Sequence, residues 1–86
     1  MSPEILIVDD NSDIRNILND LIIDAGYKTR LAANYNQALT EIDKKLPDVA
    51  ILDVKLDKGD NDGIELLNHI KSKNKDIPVI IISGHA

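Results

Sequence analysis

The 86-residue chain carries fifteen acidic against ten basic residues, a formal net charge of −5, and 43% hydrophobic residues. That length sets one small domain with a thin stability margin. The acidic balance argues against direct contact with nucleic acid and suits a cation or a basic partner. The absence of cysteine excludes disulfides, thiolate chemistry and zinc–sulfur sites. No apolar run approaches membrane-spanning length and no secretory leader is visible, so a cytoplasmic chain without a membrane partner is expected.

In chain order, EILIV (4–8) is a short β-branched apolar run, which predicts a buried strand ending at Asp9 and Asp10. Residues 12–25 place Ile14, Ile17, Leu18, Leu21, Ile22 and Ala25 at helical spacing, and Gly26 stands where a helix C-terminus favours a residue free to take positive φ. KTRLA (28–32) reads as a weaker strand. Asn34 with Gln37 three residues on resembles a capping signature and opens a helix bearing Ala38, Leu39, Ile42 and Leu46, stopped by Pro47. VAILDV (49–54) is a second buried strand and DKGDND (57–62) a loop. Asp62 with Glu65 caps a third helix carrying Ile64, Leu67 and Ile70, and VIIIS (79–83) is a fully apolar final strand.

The alternation of strands and helices, with continuous apolar strands, predicts a parallel sheet covered on both faces. Ligands of such sheets lie beyond the carboxyl ends of the strands, where strand order reverses. Asp9 and Asp10 end the first strand, Asp53 the third, and Ser83 the fourth, so three carboxylates and a hydroxyl are expected at one edge. Adjacent carboxylates repel unless a cation or hydrogen-bond donors offset them. A hard, all-oxygen donor set suits Mg²⁺, Mn²⁺ or Ca²⁺ rather than zinc. The plain alternative, that Asp9 or Asp10 caps the first helix beside Asn11 and Ser12, leaves the second acid unexplained.

IVDD (7–10), LDV with Asp53, the Asp62–Gly63 pair and VIIIS ending on Ser83 together resemble the receiver domain of bacterial response regulators, over the whole chain. LDVKLDKGDNDGIELL and PVIIISGHA are further similar to the NtrX branch of the NtrC class. The resemblance implies a flavodoxin-like (CheY-like) doubly wound α/β fold with strand order 2-1-3-4. It implies that Asp53 is the phosphoacceptor, taking a phosphoryl group from a sensor histidine kinase. Asp10, Asp53 and the backbone carbonyl of Lys55 would ligate Mg²⁺ (or Mn²⁺), Asp9 would act mainly through a bound water, and Ser83 would donate to a phosphoryl oxygen. The only chemistry implied is phosphotransfer to the domain itself and later loss of that phosphoryl group to water, in control of a transcription-regulating output.

The chain departs from the family pattern in two places. The loop after Asp53 runs VKLDKGDND, longer than usual and without Met-Pro. The family continues past the position of Ala86 through a fourth helix, a fifth strand with a phosphate-binding lysine and an aromatic switch, and a fifth helix; neither Tyr27 nor Tyr35 matches that switch. Residues 1–86 are therefore expected to be an N-terminal receiver fragment that self-associates through its fourth strand or its exposed sheet faces. KGDNDGIELLNH (58–69) imitates a calcium loop, but Lys58 and His69 occupy places that require acids. His69 and the lysines of KSKNK (71–75) are expected to be solvated, while His85 beside Gly84 could reach the site mouth, although a lone terminal histidine is more often bland. Two rivals remain: a receiver-like binding module that is never phosphorylated, and a Mg²⁺-dependent phosphohydrolase with an aspartyl nucleophile. Asp9-Asp10-Asn11 does not match the DxDx[TV] run of the latter, and no GxGxxG or GxxxxGK is present.

Overall fold

The computed structural model describes residues 3–57 and 59–82. Four strands and three helices alternate: β1 (Glu4–Val8), α1 (Ser12–Asp24), β2 (Lys28–Ala32), α2 (Tyr35–Lys44), β3 (Val49–Asp53), α3 (Asp62–Lys73) and β4 (Val79–Ile82). All pairings are parallel, in the order β2-β1-β3-β4. This is the flavodoxin-like order, and it sets the carboxyl ends of β1 and β3 side by side where the order reverses.

Alternation along the strands divides the core. Leu6, Val8, Ala50 and Leu52 pack with Ala38 and Ile42 of α2 and Leu66 and Ile70 of α3, all fully buried. Ile5 and Ile7 turn to the opposite face and are also buried. On α1 the stripe is broader than the surface that covers it. Ile14, Leu18 and Ile22 are half-buried, while Ile17 and Leu21 are 59% and 62% exposed. The strand read as fully apolar likewise lies half open: Ile80 is 52% exposed, and β4 pairs only with β3 among the described residues.

The ends of α1 and the start of α2 follow the sequence signals, whereas α2 stops at Lys44, short of Leu46 and Pro47. Asn11 caps α1, its side-chain oxygen accepting the N–H groups of Asp13 and Ile14. Gly26, at φ 97°, closes α1 with Gly26 N–H on Ile23 O and Tyr27 N–H on Ile22 O, the paired bonds of a Schellman turn. Asn34 accepts from Gln37 N–H at 2.8 Å, and the Gln37 side chain accepts from Ala33 N–H. At the other end of α2, Arg30 of β2 donates to the carbonyls of Glu41 and Lys45 and pairs with Glu4 at 2.6 Å. Partial burial works to raise the Glu41 carboxyl, but the bond from Arg30 and the nearby Lys44 outweigh it and hold the group below its ordinary range.

Two expectations are corrected, for Asp62 and Lys71, and His69 stays at the surface but gains a partner. Asp62 is not a cap: Asn61 is the N-cap of α3 and makes no side-chain capping bond, while Asp62 is the first helical residue, buried, with its carboxylate accepting Gly59 N–H. His69 reaches across to α2, with Nε2 2.9 Å from Asp43 Oδ1; that bond, joined by Lys73 at 3.5 Å, holds the Asp43 carboxyl below its ordinary range. Lys71 folds back onto the carbonyls of Lys75 and Ile77, tying α3 to the approach of β4 rather than pointing into water. His85 and Ser83 lie outside the described residues.

Candidate metal and phosphoacceptor site

Asp9 follows β1 directly, and its N–H extends the ladder to Ala32 O at 3.2 Å. The chain must then turn into α1, and the Asp9 carboxylate makes that turn by accepting Asn11 N–H at 2.9 Å. Capping of the helix falls to Asn11 alone, so the acid pair is not there as a helix cap. The Asp9 carbonyl accepts from Arg15 Nη1 at 2.8 Å. Asp53 is the last residue of β3, held laterally by β4 through Val54 N–H on Ile82 O. Its Oδ1 accepts Lys55 N–H at 3.2 Å, which fixes the rotation of the carboxylate.

One carboxylate oxygen from each of Asp9, Asp10 and Asp53 lies within 4.8 Å of the others. Asp9 and Asp53 are 1% exposed and Asp10 faces solvent. Two charges at that separation repel by about 3 kcal/mol at an effective dielectric of about 20. Two buried walls and one open side, lined with hard oxygen donors, fit a small divalent cation that keeps part of its water shell. The three acids named from sequence are thus brought together. Lys55 is brought beside them through its backbone, while its ammonium turns outward to Asp60 at 3.5 Å.

Two contributors escaped sequence reasoning. Gly63 approaches the strand end so closely that a Cβ would meet Asp53 O at 2.4 Å and Val54 Cα at 2.7 Å, and its N–H donates to Val54 O. The Asp-Gly pair flagged the position without revealing that contact. Arg15 acts on a main-chain carbonyl, and its only sequence signal was a cation near a helix N-terminus. At the start of α2, burial raises the Tyr35 hydroxyl, and the charges of Glu65 and Asp62 add to the effect. Among the described residues no helix is long and apolar enough to cross a membrane.

Comparison with known proteins gives a consistent answer. Residues 5–86 match the response regulator receiver domain family. The chain is 41% identical over 85 residues to the nitrogen assimilation regulatory protein NtrX of Azorhizobium caulinodans, covering 99% of this chain but 19% of that protein. It is 42% identical over 85 residues to sporulation initiation phosphotransferase F of Bacillus subtilis, covering 99% of this chain and 67% of that one. Among solved structures, the response regulator TrrA of Thermotoga maritima, in complex with Mg²⁺ and BeF, superposes with a TM-score of 0.86 at 30% identity, over all of this chain and 72% of its own. With its strand order, its acidic site and these likenesses in agreement, the chain belongs to the response regulator receiver domain family.

Proposed function

We propose that Asp53 is the phosphoacceptor of this receiver domain and that Asp9, Asp10, Asp53 and the backbone carbonyl of Lys55 form a Mg²⁺ site, which Mn²⁺ also fits. The observation that carries this reading is the convergence of three carboxylates on the carboxyl ends of β1 and β3, two of them buried. The TrrA likeness, a receiver complexed with Mg²⁺ and BeF, supports the choice of metal.

Asp53 ends a strand and is anchored through Lys55 N–H, so its carboxylate is presented in one orientation to an incoming group. A carboxylate is already ionised at neutral pH and needs no general base. An Asp53 oxygen forms the new bond to phosphorus as the bond to the donor nitrogen breaks, and the electron pair stays on the imidazole, which takes up a proton. A bound divalent cation would supply charge neutralisation for the acids and the phosphoryl oxygens. Asp10, on the open side, would carry the metal face nearest solvent, and Asp9 would hold a metal-bound water. Ser83 would donate to a phosphoryl oxygen.

The donor in this reading is a sensor histidine kinase in the cytoplasm, and the domain turns over no separate substrate. The kinship with NtrX supports an output in transcription control. Incubation with acetyl phosphate and Mg²⁺ tests the reading. Stable, acid-resistant label on Asp53, lost in Asp53→Asn, is the expected result. Continuous phosphate release without label would make the chain a hydrolase, and neither label nor release would make it a binding module.

A further inference from the structure

Arg15 is the fourth residue of α1, and its side chain runs back towards the helix N-terminus, as helical side chains lean. A cation there is opposed by the helix dipole, by about 0.3–1 kcal/mol. Helix stability therefore does not account for its place. What it meets is the carbonyl of Asp9, six residues earlier, at 2.8 Å in a partly buried bond.

That bond completes a three-way hold on Asp9. Its N–H is on Ala32 O, its carboxylate takes Asn11 N–H, and its carbonyl takes Arg15. The carbonyl belongs to the Asp9–Asp10 peptide, whose plane sets the direction in which Asp10 leaves the chain. Asp10 is exposed, and among the described residues no hydrogen bond braces its carboxylate. Its aim towards Asp9 and Asp53 is inherited from the backbone. The group that fixes this backbone carbonyl is Arg15.

We propose that Arg15 is a positioning residue for the cation site: by clamping the Asp9 carbonyl it orients the Asp9–Asp10 peptide and so aims Asp10 at the metal, without itself touching metal or phosphoryl group. This rests on the metal site proposed above. Supporting groups of this kind change metal affinity when removed, by roughly 10–100-fold for side chains bonded to a ligand. If instead Arg15 were only a nearby charge, its loss would tighten cation binding, because a repulsion would be removed.

The test is Mg²⁺ titration of the chain, followed by calorimetry and by amide resonances. Arg15→Met keeps the stem and removes the donors; a loss of about tenfold in Mg²⁺ affinity is expected, with the largest free-state amide shifts at Asp10 and Asn11. Thr29→Val, which breaks the bond from β2 to Asn19 far along α1, should lower stability and leave affinity unchanged. Affinity in Arg15→Met that is equal or tighter, or an equal loss in Thr29→Val, overturns the proposal. Should Arg15→Met not fold, Arg15→Gln decides: it removes the charge and draws the donors back from the Asp9 carbonyl, so weaker binding supports the clamp and equal or tighter binding overturns it. Failure of the wild type to bind Mg²⁺ at all would overturn the metal site itself, a different result from any of these.

Discussion

Gly63 shows how one residue can tie a helix to a reactive group. Its N–H bonds to Val54 O, and a methyl group there would run into backbone atoms of Asp53 and Val54 that no rotamer change can move. Gly63→Ala must push the start of α3 away from β3 or displace the Asp53–Val54 peptide. Overpacking of that kind costs about 1–3 kcal/mol. Urea unfolding should show the loss, and calorimetry should show weaker Mg²⁺ binding as well; a variant as stable as wild type would mean that the start of α3 yields to a methyl group without cost. At this scale the acids were legible because their position at strand ends is a matter of sequence order. Asp62 was misread as a cap because a buried carboxylate serving a loop N–H and a capping carboxylate leave the same letters in the same place. Arg15 was invisible because a side chain that bonds a main-chain oxygen needs no complementary residue type.

The strands and helices were readable to within two residues, since apolar runs, caps and Gly26 carry the same physics in the chain as in the fold. What a run of apolar residues does not encode is its rank in the sheet. VIII promises burial on both sides, yet β4 has one strand neighbour among the described residues, and its alternate side chains fare differently. Val79 and Ile81 pack against the core, whereas Ile80 is half exposed. With Ile17 and Leu21 also open on α1, and an unpaired strand edge being a template for another chain, the 86-residue chain is expected to self-associate at high concentration. Ile80→Lys should shift it to monomer with little loss of stability, because that side chain already faces water. Ile81→Lys should unfold it instead. Sedimentation of both variants checks this, and a wild-type chain that stays monomeric would remove the idea.

Across the whole molecule, the sheet gathers charge at one rim of a chain already at net −5, so cation binding and fold stability are linked. A ligand that binds only the folded state stabilises it in proportion to the logarithm of its concentration over its dissociation constant. At tenfold that constant, Mg²⁺ should contribute about 1.4 kcal/mol. In a domain this small, that corresponds to a rise in Tm of roughly 6–11 °C. General screening of the acidic surface also stabilises, so the comparison must be made at equal ionic strength with NaCl. Asp10→Asn and Asp53→Asn should each start from a higher Tm without metal, because one member of a mutually repelling trio has been neutralised, and should then respond little to Mg²⁺. That crossing is the signature of a site whose repulsion is held in reserve for a cation. Variants that start no higher than wild type, or that gain as much from Mg²⁺, would show that the three carboxylates are near one another without acting together.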